Sequence, residues 1–153
     1  MSTIKASVSL GTPIDRVHAY LNEGLTHVAQ TGPCLVPLVA HVPATGIVLS
    51  KNVKLECVRQ DDGSDDWWIH WTPLDGGFYP SFDGTLSVRA GHGHTILTLT
   101  GDYSPPLGIA GQVFDTAVGH LVSDDTAHEF LMTLAADMRA RYAYEEAVKE
   151  YAT

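Results

Sequence analysis

Apolar and polar residues alternate along six segments of the chain, and this two-residue period predicts six β-strands. The last five of these segments are separated by short stretches rich in glycine, proline and aspartate, which are typical of antiparallel hairpins. We therefore expect an antiparallel sheet. The predicted strands cover residues 4–10, 35–42, 47–58, 66–72, 82–89 and 95–103.

Helical patterns lie between the first two strands and after the last strand. Thr12 is a suitable N-cap, Pro13 suits the first helical position, and Asp15 favours the positive end of the helix dipole. Gly24 is expected to end this helix, and the apolar residues beyond it predict a second short helix. From about residue 109 to 150, apolar residues recur at helical spacing, which predicts one long C-terminal helix.

These elements together predict an α+β architecture. Pro105 and Pro106 end the last strand and direct the chain away from the sheet. The C-terminal helix is the only element large enough to cover one face of the sheet. We therefore expect a curved antiparallel β-sheet wrapped around the long C-terminal α-helix, with two short helices after the first strand and a cavity between sheet and helix. Residues 1–153 contain no linker or repeat and are expected to form a single domain.

Composition narrows the classes of partner. The chain is 44% hydrophobic and 18% charged, as folded proteins are. Its formal charge of −9 and its lack of a lysine or arginine cluster exclude a nucleic-acid partner. No apolar run is long enough for a transmembrane segment, and we expect a cytoplasmic protein. Cys34 and Cys57 are expected to be buried thiols, although a disulfide would be possible if their strands were adjacent.

Four segments of the sequence resemble the START-like, or SRPBCC, superfamily: residues 8–17, 71–73, 79–84 and 101–108. The order of predicted elements is similar as well, so that the resemblance covers nearly the whole chain. It implies the helix-grip fold of birch-pollen-allergen-like proteins, lipid-transfer START domains, polyketide cyclases and coenzyme Q-binding proteins. The superfamily has no shared catalytic signature, so the resemblance implies a fold and a hydrophobic cavity but no particular reaction.

The inward face of the predicted sheet supplies the candidate binding residues. Alternate residues of one aromatic strand share a face, and apolar residues of the last strand lead to a tyrosine whose buried hydroxyl needs a partner. These side chains either line a ligand cavity or fill the core. We expect the cavity to be lined by Trp67, Ile69, Trp71, Phe82, Leu97, Leu99, Tyr103, Phe114, Val118 and Leu121.

Motifs for catalysis and metal binding are missing from the sequence. It contains no nucleophile elbow, zinc-protease motif, phosphate-binding loop or Cys-x-x-Cys pair. His92 and His94 lack further ligands and are expected to be exposed turn residues. Asp115 either stabilises the start of the long helix or anchors a ligand at the cavity mouth. No catalytic residue, metal or cofactor is assigned.

The sequence therefore predicts a monomer or homodimer that binds a hydrophobic small molecule or lipid, for transport or for sensing. One alternative is an enzyme similar to polyketide cyclases or dehydratases, which would need at least two titratable groups in the cavity. The other is a protein-interaction module with a filled cavity and an exposed apolar patch. The C-terminal residues Tyr142, Tyr144, Val148 and Tyr151 could form such a patch.

Overall fold

Six antiparallel strands form one sheet in the order β1-β6-β5-β4-β3-β2, accompanied by two helices. The computed structural model describes residues 2–31, 34–42, 47–60, 65–74, 80–104 and 116–152. The elements are β1 (Ser2–Leu10), α1 (Ile14–Thr31), β2 (Cys34–Val42), β3 (Ile47–Arg59), β4 (Trp67–Pro73), β5 (Ser81–Ala90), β6 (Thr95–Ser104) and α2 (Thr116–Ala152).

The sheet curls around α2. Strands β2 to β6 follow one another as a meander, and β1 pairs with β6 in a register that runs from Ser2–Tyr103 to Leu10–Thr95. The two edges of the sheet are therefore β1 and β2. Helix α2 packs against both of these edge strands, which one helix can do only if the sheet bends around it. The predicted α+β helix grip, with a curved antiparallel sheet and a long C-terminal helix, is confirmed.

The concave face of the sheet carries the side chains that the two-residue period assigned to it. On β4, Trp67, Ile69 and Trp71 are buried, whereas Trp68 and His70 on the convex face are half-buried. The same alternation continues in β5 and β6. The sequence-based assignment of the inward face is therefore confirmed.

Two glycines make room for an aromatic pair on this concave face. Gly84 of β5 lies directly opposite Gly101 of β6. A Cβ atom added to Gly84 would come within 2.5 Å of Cζ of Phe82, and one added to Gly101 within 2.8 Å. The Phe82 ring in turn stacks on Trp71, with ring centroids 4.5 Å apart. Because neither glycine has a side chain, the two strands leave the space that the Phe82 ring occupies.

Helix α1 differs from the expectation of two short helices. It is a single helix of 18 residues that continues through Gly24. Val17, Leu21 and Leu25 are buried and recur every four residues, so that one apolar stripe passes the glycine without interruption. A glycine costs a helix about 1 kcal/mol relative to alanine, which burial of this stripe offsets. The prediction of a break at Gly24 was wrong because tertiary packing outweighs local propensity here.

Gly24→Ala is expected to stabilise the protein by about 0.5–1 kcal/mol, because alanine loses less backbone entropy on forming a helix. A Cβ atom at this position would meet no other atom within 4 Å. Equilibrium urea denaturation of the wild type and the variant measures the difference. A lower free energy of unfolding for the variant would show that α1 requires a glycine at this point.

The C-terminal helix agrees with its predicted span where it is described. Helix α2 runs from Thr116 to Ala152, and residues 105–115, which include Pro105, Pro106, Phe114 and Asp115, lie outside the described residues. Among the described residues, neither helix combines the length and the apolar character that crossing a membrane requires.

Candidate functional site

A cavity of about 440 Å³ lies between α1, α2 and the strands β2 and β3. This volume falls within the range of about 300–1,000 Å³ that is typical of small-molecule sites. The walls are mostly apolar and come from all four elements. Buried wall residues are Leu21, Leu25, Leu38, Leu55 and Met138, and half-buried ones are Val28, Val36, Phe130 and Leu134.

Polar residues line the cavity along one row of α2. Glu129, Thr133, Asp137 and Arg141 recur every fourth residue, which places them one above another on the same helix face. Thr133 and Asp137 are exposed, and the other two are half-buried. This polar row therefore marks the side on which the cavity meets solvent, and the apolar residues form its interior.

Tyr20 lines the cavity and contacts three charged residues, Arg16, Arg141 and Glu145. We call these three residues, together with Glu23, which pairs with Arg141, the Tyr20 clamp. The Tyr20 hydroxyl donates a 2.7 Å hydrogen bond to Oε2 of Glu145. The guanidinium carbons of Arg16 and Arg141 lie 5.2 Å and 4.4 Å from the centroid of the tyrosine ring, within cation–π range. Arg141 also forms a 2.8 Å ion pair with Glu23, and Arg16 a 3.3 Å ion pair with Glu145. The clamp joins α1 to α2 and fixes this wall.

The clamp shifts the protonation equilibria of its members. Burial raises the pKa of Tyr20, the hydrogen bond to Glu145 raises it further, and the nearby Arg16 partly opposes both effects. Tyr20 therefore remains a neutral hydrogen-bond donor at physiological pH. The hydrogen bond and the charge of Arg141 lower the pKa of Glu23 below its ordinary value of 4.5.

Acid is expected to weaken the clamp through Glu23. Because its pKa is lowered in the folded state, the stabilisation by the Glu23–Arg141 pair is complete above pH 4.5 and is lost as the pH falls through the lowered value. The effect is small, since the pair is exposed. Urea midpoints of the wild type and Glu23→Gln should differ at neutral pH and converge in acid. A difference that widened towards acid would contradict this pairing.

The fold is similar to that of a solved structure of another protein. TTHA0849 from Thermus thermophilus superposes with a TM-score of 0.56 at 19% sequence identity, covering 92% of this chain and 99% of that chain. The likeness concerns the fold alone. The Zhui aromatase/cyclase from Streptomyces sp. R1128 is more distant, with a TM-score of 0.43 at 16% identity over 91% of this chain and 87% of that one. CalU16 from Micromonospora echinospora has a TM-score of 0.38 at 12% identity over 93% and 86%. No protein-family model matches the sequence, and no curated protein matches it.

The residues predicted from the sequence to line a cavity are buried on the concave face of the sheet, but the 440 Å³ cavity has other walls. Phe114 lies outside the described residues, and the side chains of Val118 and Leu121, in the first turns of α2, are likewise outside the described part. Whether these residues contact a ligand stays a prediction. The buried residues in question are Trp67, Ile69, Trp71, Phe82, Leu97, Leu99 and Tyr103.

Two residues of the cavity wall, Leu55 and Phe130, adjoin this buried group, and Leu55 lies directly opposite Trp71 on the neighbouring strand. Phe130 lines the cavity, and its ring centroid lies 5.6 Å from that of Trp71 at an interplanar angle of 47°. The predicted aromatic site and the cavity are therefore neighbours, and Phe130 contacts both.

Sequence reasoning missed the walls that α1 and β2 provide. A signal for the α1 wall was present, because Leu21, Leu25 and Val28 lie at positions i, i+4 and i+7 of one helix face. Treating Gly24 as a helix end divided this stripe between two short helices. For the β2 wall, which includes Val36 and Leu38, no local signal distinguishes cavity lining from core packing.

The remaining chemical candidates have structural roles where they are described. His94 lies in the turn between β5 and β6, where its Nδ1 donates a 2.8 Å hydrogen bond to the carbonyl of His92. The side chain of Cys57 is buried, and that of Cys34 is outside the described part. Within the described ranges, no group of three or more histidine, cysteine or acidic side chains could hold a metal ion.

Proposed function

We propose that this protein binds a hydrophobic small molecule in the cavity between α1, α2 and the sheet. The observation that carries the proposal is a 440 Å³ space with an apolar interior and a polar row along its open side. Transfer of apolar ligand surface from water into such a space is favourable by about 25 cal/mol per Å². The few polar groups at the rim would fix the orientation of the ligand.

The rim favours a ligand that carries a hydrogen-bond donor at one end. Glu129 and Asp137 offer carboxylates and Thr133 offers a hydroxyl on the same helix face. The net charge of the chain is −9, which disfavours anionic ligands. An amphipathic molecule that ends in a hydroxyl or amine group fits these features better than a carboxylate does.

The two alternatives from the sequence receive less support. A cyclase-like enzyme needs an acid and a base that both reach the ligand. Glu129 and Asp137 offer carboxylates at the rim, but Tyr20 and Arg141, which would supply the proton donor, are engaged by Glu145 and Glu23. An interaction module with a filled cavity is difficult to reconcile with 440 Å³ of open space. Tyr144 and Tyr151 are nevertheless 72% and 92% exposed, as an apolar patch on the tail would require.

Filling the cavity with a bulky side chain is the test of the proposed function. The probe is the neutral fluorophore N-phenyl-1-naphthylamine, whose emission rises in apolar surroundings. The wild type should bind it saturably in the micromolar range. Leu134→Trp, which places an indole in the cavity, should weaken binding by about tenfold or more, equivalent to at least ~1.4 kcal/mol.

Met132→Trp is the matched control, because Met132 is an exposed residue of the same helix and does not line the cavity. This variant should bind the probe as the wild type does. Circular dichroism and urea midpoints establish that both variants are folded. Lack of saturable binding by the wild type, or equal affinity of the wild type and Leu134→Trp, would contradict the proposal.

A further inference from the structure

Phe130 separates the cavity from a layer of stacked aromatic rings. On its far side Trp71, only 2% exposed, stacks on Phe82 with ring centroids 4.5 Å apart and an interplanar angle of 22°. Phe82 in turn lies over the glycine pair Gly84–Gly101. Starting from the Phe130 wall, the successive ring contacts lead to Trp71, then to Phe82, and then to the backbone of β5 and β6.

The two aromatic walls of the cavity are held in different ways. Tyr20 is fixed by a hydrogen bond to Glu145 and by two guanidinium groups. Phe130 has no polar group and contacts Trp71 only through a tilted ring contact. Phe130 is also half-buried, whereas Trp71 and Phe82 are buried. The Phe130 ring can therefore be removed without loss of a hydrogen bond or ion pair, whereas the Tyr20 side chain cannot.

We propose that Phe130 sets the length of the ligand that the cavity accepts, by separating it from a deeper aromatic subsite formed by Trp71 and Phe82. This inference rests on the proposed function of the same cavity. The ligand class is a linear or fused-ring apolar molecule whose polar end stays at the row of Asp137 and Thr133. Its apolar end meets the Phe130 ring, and without that ring it would continue onto the indole of Trp71.

A chain-length series tests this role. Linear 1-alkanols from octanol to hexadecanol compete with N-phenyl-1-naphthylamine, and the best-bound chain length is recorded for each variant. Phe130→Ala should move the optimum to longer chains by about three to four methylene groups, roughly the span of a phenyl ring. Leu134→Ala enlarges the cavity at another lining residue and should weaken binding without moving the optimum.

Quenching of tryptophan fluorescence locates the added chain length. Alkanols with a terminal bromine quench an indole that they touch. In Phe130→Ala they should quench the emission of Trp71. This quenching should be absent from Phe130→Ala/Trp71→Phe, which retains Trp67 and Trp68. In the wild type, quenching that depends on Trp71 should be weak. If Phe130→Ala does not fold, both measurements are made on Phe130→Leu, which also lacks the ring.

The outcomes separate this inference from the proposed function. Failure of the wild type to bind the fluorophore or any alkanol would overturn both. Binding by the wild type with the same length optimum in the Phe130 variants would overturn the inference alone. A longer optimum without Trp71-dependent quenching would overturn it as well, because the extra length would then lie elsewhere.

Discussion

Replacing Trp71 with alanine is expected to lower the free energy of unfolding by about 3–5 kcal/mol. Trp71 is among the largest fully buried side chains, and it contacts both Phe82 on the sheet and Phe130 on α2. Its removal forfeits the burial of an indole and leaves a void that the surrounding strands cannot fill. Equilibrium urea denaturation, followed by circular dichroism, measures the loss.

Trp68→Ala is the matched control for this prediction. Trp68 belongs to the same strand but lies on the convex face, where its Nε1 donates a 2.8 Å hydrogen bond to Asp83 and its ring stacks on His70. Because the Trp68 side chain is only half-buried, we expect Trp68→Ala to lower the free energy of unfolding by about 1 kcal/mol. Equal losses for the two tryptophans would contradict the assignment of Trp71 to the packed side of the sheet.

Gly101→Ala is expected to destabilise the protein by about 1–3 kcal/mol through overpacking. The added Cβ would collide with the Phe82 ring and also with backbone atoms of Asp83 and Gly84 on the neighbouring strand. A side chain can move aside, but a paired backbone cannot do so without loss of strand hydrogen bonds. Thermal or urea unfolding would detect the change as a lower midpoint.

Gly11→Ala controls for the general effect of replacing a glycine. A Cβ at Gly11 would meet no atom within 4 Å. The unfolding midpoint of Gly11→Ala should therefore differ little from that of the wild type. Wild-type stability of Gly101→Ala would show that the glycine pair is not what accommodates Phe82.

The sequence predicted local features of the fold well, because they depend on neighbouring residues. The alternation at Trp67, Ile69 and Trp71 identified the buried face of β4, since successive side chains of a strand point to opposite faces. The helical spacing from about residue 109 to 150 likewise predicted α2, which is described from Thr116 to Ala152. At Gly24 the same reasoning failed, because the energy that maintains α1 comes from packing against distant elements.

The cavity itself could not be predicted from the sequence. Its walls combine Leu25, Leu38 and Met138, which are far apart in the chain and meet only because the sheet curls around α2. Burial of Trp71 was predictable, but the arrangement of rings beside it was not. Phe82 stacks on one side of the Trp71 indole, with ring centroids 4.5 Å apart, and only the tertiary structure shows this contact.

The most direct test of the central claim is to locate a bound probe by methyl NMR. The protein is labelled at the methyl groups of leucine, valine and methionine and is saturated with N-phenyl-1-naphthylamine. We predict intermolecular NOEs from the probe to Leu25, Val28, Leu134 and Met138, the methyl-bearing walls on α1 and α2. NOEs confined to methyl groups outside the cavity, such as the exposed Val58, would contradict the account.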